Sequence, residues 1–307
     1  MLPPGRWRRV TGIAWAALAV LILSGWFVVT RFGMTRELRI WDVAALRFGI
    51  GALLLAPILV RSRARLSPAV WGTGFVFAIL WGLPFVLLVA FGLSLTSAAL
   101  AGAITPALMP LFAGDFAWIF LGEVQGWRRC SGYAAILAGL SVLMLAGAAT
   151  AGLPSVAGVA ALVVAAAMWA TYTLLFGRSG LTPIEAAALI CFWSAVLFLP
   201  VYWLAGLGRL EQAAISELAL QAVYQGVLMS GVAIFTFNSS VAMLGPAAAT
   251  AIIALLPAVA SLLGVPILGE QPSLAELAAT AIIVGGVLLV ARPQKPLEST
   301  HEGREVP

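Results

Sequence analysis

Long apolar stretches, broken by short charged or proline- and glycine-bearing turns, organise this chain. No Asp, Glu, Lys or Arg occurs in residues 10–30, 48–60, 66–114, 130–177, 186–208, 218–269 or 277–291. A helix needs about 20 mostly apolar residues, each rising 1.5 Å, to cross a bilayer core. The runs of 49, 48 and 52 residues therefore each hold two crossings and an uncharged turn. The others hold one each, with 48–60 extending back through Arg47 to residue 40. The pattern predicts ten helices, near 10–30, 40–60, 68–93, 97–121, 129–149, 155–177, 183–206, 217–243, 247–268 and 273–292. Chain breakers fall between them: Ser94 to Ser97, Gly152-Leu153-Pro154, Gly180 to Pro183, Gly245-Pro246 and Gln271-Pro272. No period-two alternation runs through the segments, so an all-α membrane protein is expected rather than a β-barrel.

Composition agrees with this picture. The chain has 307 residues, 62% hydrophobic and 9% charged, too few charges for the polar shell of a soluble domain. A soluble enzyme, a disordered chain and a nucleic-acid binder are excluded. The net charge of +5 is explained by where the basic residues fall. With the N-terminus in the cytoplasm, the inner side receives 12 Lys and Arg and the outer side 4, which is the positive-inside bias. Both termini are therefore expected in the cytoplasm of a bacterial-type inner membrane. Arg6, Arg8 and Arg9 precede the first apolar run, but no small-x-small site ends it, so an uncleaved first span is expected. Residues 1–9 and 293–307 read as cytoplasmic tails, the second disordered.

The two halves repeat each other at a constant offset of 147. Pro110, Leu121-Gly122-Glu123, Ile136 and Gly139 become Pro257, Leu268-Gly269-Glu270, Ile283 and Gly286. The same offset sets Pro84 against Gly231, and an offset of 146 sets Trp26 against Tyr172. An odd number of helices per repeat reverses the second copy in the membrane. The expected architecture is two inverted five-helix repeats, residues 10–149 and 150–292, around a central cavity.

The chain resembles the drug/metabolite transporter superfamily, specifically its EamA-domain exporters. The resemblance rests on Ala45-Leu46-Arg47-Phe48, Pro110 with Leu121-Gly122-Glu123, Trp169-Ala170-Thr171-Tyr172, Phe237-Asn238, and Pro257 with Leu268-Gly269-Glu270. It covers about residues 10–292. Leu23-Ser24-Gly25-Trp26-Phe27 departs from it, standing where the family often has Trp-Gly-Ser-Asn-Phe. The resemblance implies export of small metabolites, often amino acids, from the cytoplasm. The expected function is thus secondary export of a small amphipathic solute by alternating access. Other metabolites or drugs, a passive channel and an intramembrane enzyme are the alternatives. No G-x-x-x-x-G-K-[ST] occurs, and the only histidine is His301 in the tail, so neither direct ATP use nor a histidine relay is expected. No cofactor or metal is expected; Cys130 and Cys191 lack ligand spacing and read as packing residues. The partners are a small-molecule solute and lipid, with the proton a candidate coupling ion, and the protein is expected to be a monomer.

Candidate transport residues follow from chemistry that apolar spans seldom carry. Trp26, Trp81, Trp169, Tyr172 and Asn238 are the candidates for solute contact: the aromatic residues either line a cavity or simply pack, and Asn238, amid Thr236, Ser239 and Ser240, either bonds between helices or meets solute as donor and acceptor. Trp118 and Trp193 also read as deep, whereas Trp7, Trp41, Trp71, Trp127 and Trp203 fit an interfacial belt. Pro110 and Pro257 remove backbone donors mid-membrane and are expected as hinges or cavity walls, with Pro106 and Pro266 nearby. Arg47 is either a snorkelling or carbonyl-clamping side chain or a partner for a substrate carboxylate. Asp115 reads as the one buried acid, a candidate for proton coupling and too little for an intramembrane enzyme. Glu123 and Glu270 are expected to cap or gate helix ends.

Overall fold

A computed structural model describes residues 4–34, 38–96, 98–122, 125–151, 153–268 and 273–291. Glu123, Glu270, the Gln271-Pro272 turn and the 293–307 tail lie outside the described residues. The elements are α1 (Pro4–Met34), α2 (Ile40–Arg61), α3 (Pro68–Trp81), α4 (Leu83–Leu95), α5 (Ala98–Leu121), α6 (Trp127–Ala151) and α7 (Val156–Ser179). They continue with α8 (Pro183–Leu204), α9 (Ile215–Gln221), a π-helical segment (Ala222–Ala233), α10 (Ile234–Leu244), α11 (Pro246–Ile253), α12 (Leu256–Leu268) and α13 (Leu274–Ala291). A short 3₁₀ turn, Leu210–Gln212, precedes α9. No strand occurs among the described residues. Among the described residues, eight helical segments are long and apolar enough to cross a membrane; two further apolar helices, Pro246–Ala260 and Leu274–Val290, are shorter.

Three expected spans depart from a continuous α-helix. The third breaks at Gly82 between α3 and α4. Pro84 has no N–H to return to the preceding turn, and Leu83 N donates instead to Ser194 Oγ of α8 at 3.2 Å. The ninth breaks at Ala254 and Leu255, just before Pro257, where Leu255 N bonds Ile252 O in a tightened turn. The eighth, Ile215–Leu244, carries the π-helical segment at its centre.

The strongest packing joins the first half of the chain to the second: α6 on α13, α2 on α8, α5 on α7 and α1 on α10. The α6–α13 seam uses the repeated residues crosswise. A Cβ at Gly139 would stand 2.6 Å from Ile283 Cγ1, and one at Gly286 would stand 2.9 Å from Ile136 Cγ1. Each glycine thus accommodates the isoleucine of the other copy, and the two backbones approach as small residues allow.

α2 and α8 run antiparallel, because residue 42 meets residue 202 while residue 65 meets residue 185. Asp42 and Glu185 each occupy the third position of their helix. There a carboxylate caps free N–H groups and faces the positive end of the helix dipole. Asp42 Oδ2 accepts from Arg39 N at 2.8 Å and Glu185 Oε2 from Thr182 N at 3.0 Å. Asp42 Oδ1 also accepts from the Tyr202 hydroxyl at 2.6 Å and Arg209 N at 2.8 Å, while Glu185 meets Arg65 at 3.6 Å. The two acids therefore fasten opposite ends of one helix pair.

These contacts correct the reading of Asp115. Asp115 is exposed on α5, and Trp118 is 58% exposed. The buried acids among the described residues are Asp42, Glu185 and Glu217, all in first turns of helices, where backbone N–H groups offset the burial cost. Cys130 is exposed and Cys191 fully buried, and both are free.

Candidate functional site

An aromatic cluster occupies the junction of α3, α4, α7 and α10. Trp169 and Tyr172 lie three residues apart on α7 and so share a face. Trp81, at the end of α3, stacks on both: its ring lies 5.4 Å from Trp169 at 18° and 4.8 Å from Tyr172 at 29°. Phe237 and Phe85 close the cluster against Trp169 at 5.5 and 5.8 Å. Such pairs contribute about 0.5–1.5 kcal/mol each beyond their burial, so the cluster is a rigid wall. The Tyr172 hydroxyl donates to Asn238 Oδ1 at 2.8 Å, and Asn238 Nδ2 donates to Pro183 O at 3.4 Å. The neighbouring hydroxyls of Thr236 and Ser240 turn back to carbonyls of their own helix, at Ala233 and Phe237.

A second network stands on the π-helical segment. Gln225 Oε1 accepts the Trp26 indole N–H at 2.9 Å, and its Nε2 donates to Thr30 Oγ1 at 3.0 Å and Gln221 Oε1 at 3.1 Å. Ser230 Oγ donates to the Arg47 carbonyl at 2.6 Å, which ties the segment to α2. Such i→i+5 stretches are rare and concentrate at functional sites. This one brings Gln225 and Ser230 against α1 and α2.

Arg47 is 2% exposed and does not snorkel. Packing on both sides holds it inside: its Cζ lies 5.8 Å from the Trp26 ring and 5.4 Å from the Phe48 ring, within cation–π range. Its Nε has no hydrogen-bond partner among the described residues, and neither has the indole nitrogen of Trp169.

Arg47, Trp26, Trp81 and Trp169 border one central cavity of about 20 Å³, with Thr105 and Pro106 on the α5 side. A larger opening of about 320 Å³ lies at the end of the bundle that carries Arg129 and Arg178, and Pro110, Tyr133 and Thr250 also line it. Pro106 and Pro110 are one turn apart on α5, so the same helix borders both spaces.

The expected residues divide accordingly. Trp26, Trp81, Trp169 and Arg47 meet at the central cavity. Tyr172 and Asn238 stand behind Trp81 and do not line it. Pro110 lines the larger opening, and Pro257 is buried beside the α11–α12 break and lines neither space. Asp115 lies outside the group, and Trp193, half-buried, donates its indole N–H to Trp71 O at 3.1 Å. Sequence reasoning missed Asp42, Gln221, Gln225 and Ser230. Gln221 and Gln225 sit four apart inside an apolar span, a legible signal of one polar helix face. No three His, Cys, Asp or Glu side chains gather for a metal ion among the described residues.

Residues 10–145 and 156–292 each match the EamA-like transporter family. A probable terminal-alkyne amino-acid exporter of Streptantibioticus cattleyicolor is 31% identical over 188 residues, 61% of this chain and 62% of that one. An uncharacterized protein of Pseudomonas aeruginosa, PA1977, is 30% identical over 254 residues, 81% of this chain and 83% of that one. A protein crystal structure with 24% identity superposes with a TM-score of 0.68, covering 92% of this chain and 96% of that chain, and shares the fold. With both halves of the chain matched, this all-helical, multi-pass membrane protein is a transporter rather than an enzyme, and it belongs to the EamA-like transporter family.

Proposed function

We propose that this protein is a secondary exporter of small amphipathic metabolites, amino acids foremost, working by alternating access between two inverted five-helix repeats, 10–149 and 150–292. The observation that carries this is the central cavity. Its wall draws Trp26, Arg47 and Trp81 from the first half and Trp169, Met229 and Leu256 from the second. A relative displacement of the halves therefore changes its size and access. At about 20 Å³ it has room for about one water. That fits a contracted state, with the 320 Å³ opening as the vestibule on one side. The vestibule lies at the Arg129 and Arg178 end, which the positive-inside bias assigns to the cytoplasm of a bacterial inner membrane. On this reading both termini are cytoplasmic.

Trp26, Trp81 and Trp169 form the solute-contacting wall, and Tyr172 with Asn238 braces it. The Pro110 turn and the α11–α12 break before Pro257 are the places where the two halves flex. Asp115 is exposed and lines neither space, so it has no part in this scheme. The name of the Streptantibioticus relative supports amino acids as the leading solutes. The purified monomer in proteoliposomes is expected to give saturable uptake of labelled amino acids, accelerated by unlabelled solute on the far side. Flux rising linearly with concentration, without acceleration, would identify a passive pore.

A further inference from the structure

The unpartnered polar atoms of this protein point to one kind of chemical group. Among the described residues, four buried side-chain nitrogen or oxygen atoms have no hydrogen-bond partner: Arg47 Nε, Arg129 Nε, Trp169 Nε1 and Glu217 Oε1. Three of these are donors, and all three belong to residues lining the solute route. Arg47 and Trp169 border the central cavity and Arg129 the vestibule. The acceptor, on Glu217 in α9, lies away from both spaces. A buried donor without an acceptor is costly, so such atoms in a native protein call for an explanation. Here the missing group is an acceptor, at two adjoining sites along one path.

Charge points the same way. Three arginines, Arg47, Arg129 and Arg178, line the two spaces, and no aspartate or glutamate among the described residues lines either. The rest of the central wall is aromatic or aliphatic, apart from the Thr105 hydroxyl, which donates to Leu162 O. A carboxylate entering this cavity meets a guanidinium and an indole N–H in low dielectric, where charge-assisted bonds are strong. An ammonium group meets no counter-charge.

We infer that Arg47 and Trp169 together bind the carboxylate of the transported solute and that its amino group is not recognised. The site therefore selects monocarboxylates with an apolar or aromatic body. This rests on the transport reading above and extends it: an amino acid is accepted for its carboxylate, and deaminated or N-acylated acids are accepted as well.

The experiment uses the full chain in phosphatidylethanolamine–phosphatidylglycerol vesicles, with labelled phenylalanine counterflow as the readout. The competitors are 3-phenyllactate, N-acetylphenylalanine, phenylalaninamide and phenethylamine. The two acids are expected to compete at least as well as phenylalanine, and the amide and the amine about tenfold or more weaker. Trp169→Phe, which keeps an aromatic ring and loses the N–H, should weaken the acids several-fold and leave the amines unchanged. Arg47→Gln should weaken the acids tenfold or more. If that variant does not fold, Trp169→Phe carries the comparison. Amines competing as well as acids, or Trp169→Phe weakening both classes equally, would overturn the assignment while leaving transport intact. Thermal shift in detergent separates the two readings further. If no vesicle flux is seen, stabilisation by the acids alone would uphold the carboxylate site and remove the transport reading. Equal stabilisation by acids and amines would remove the site.

Discussion

The Tyr202 hydroxyl reaches Asp42 Oδ1 at 2.6 Å across the antiparallel α2–α8 pair. At the other end of the same pair, Arg65 reaches Glu185 at only 3.6 Å and is 68% exposed. The closer fastening sits opposite the vestibule, and the looser one stands at the vestibule end. A hydrogen bond to a charged group contributes about 1.5–3 kcal/mol, whereas an exposed ion pair contributes about 0–1 kcal/mol. Tyr202→Phe should therefore destabilise the detergent-solubilised protein by about 1.5–3 kcal/mol, and Arg65→Gln by less than about 1 kcal/mol. Thermal unfolding followed by size-exclusion chromatography tests the asymmetry. Equal losses from the two variants would mean that the ends are not differently fastened.

The α6–α13 seam leads to a comparison between neighbouring glycines. A Cβ at Gly286 would stand 2.7 Å from the Gly132 carbonyl oxygen, an atom that moves only with its helix, while one at Gly285 would meet nothing within 4 Å. Gly286→Ala is expected to cost about 1–3 kcal/mol through overpacking, and Gly285→Ala to be tolerated. The yield of monodisperse protein and its melting temperature read the difference. A tolerated Gly286→Ala would show that the two helices separate without penalty.

The spans were legible because crossing a bilayer is a property of some twenty residues together, and the charge-free runs report that sum directly. The breaks at Gly82 and Ala254 sit inside such runs. Pro84 and Pro257 marked weak points, but where a helix actually opens depends on partners such as Ser194 from another helix. The π-helical segment left no sequence signal, since its wider turn is held by Gln225 on Trp26 and Ser230 on Arg47. Polar residues could be counted but not aimed. Of the cluster around Asn238, the Thr236 and Ser240 hydroxyls serve their own backbone, and Asn238 reaches α7 and α8. Asp115 was misread for the same reason: the rise per residue gives depth along a helix but not which side faces the bundle. Trp26, Trp81 and Trp169 are buried, as their depth suggested, because large rings bury most area inside a bundle, whereas Trp118 at similar expected depth faces out, misread as Asp115 was.

The Tyr172–Asn238 bond is suited to a double-mutant cycle. Tyr172→Phe keeps the ring against Trp81 and leaves Asn238 Oδ1 without its donor, at a cost of about 1–3 kcal/mol. Asn238→Ala removes the acceptor but also the link to Pro183 O. The double variant should be more stable than the sum of the two single losses, because no unpaired acceptor remains. Additive losses would mean that the bond is not formed in the membrane. Transport should fall in both single variants, as the wall behind Trp81 loosens.

The inversion of the second repeat can be tested at the ends of α7. Val156–Ser179 spans 24 residues, about 36 Å at 1.5 Å each, enough to cross the hydrocarbon core. Leu153 and Arg178, at its two ends, are both exposed. Single cysteines there, in a Cys130→Ser background, should react with an impermeant maleimide from opposite faces, Leu153→Cys from outside and Arg178→Cys only after permeabilisation. Cys191 is fully buried and should stay silent. The swapped Gly139–Ile283 and Gly286–Ile136 contacts require equivalent residues of the repeats to run in opposite directions along one seam. Labelling of both positions from the same face would contradict that arrangement, and with it the exchange of access between the two sides.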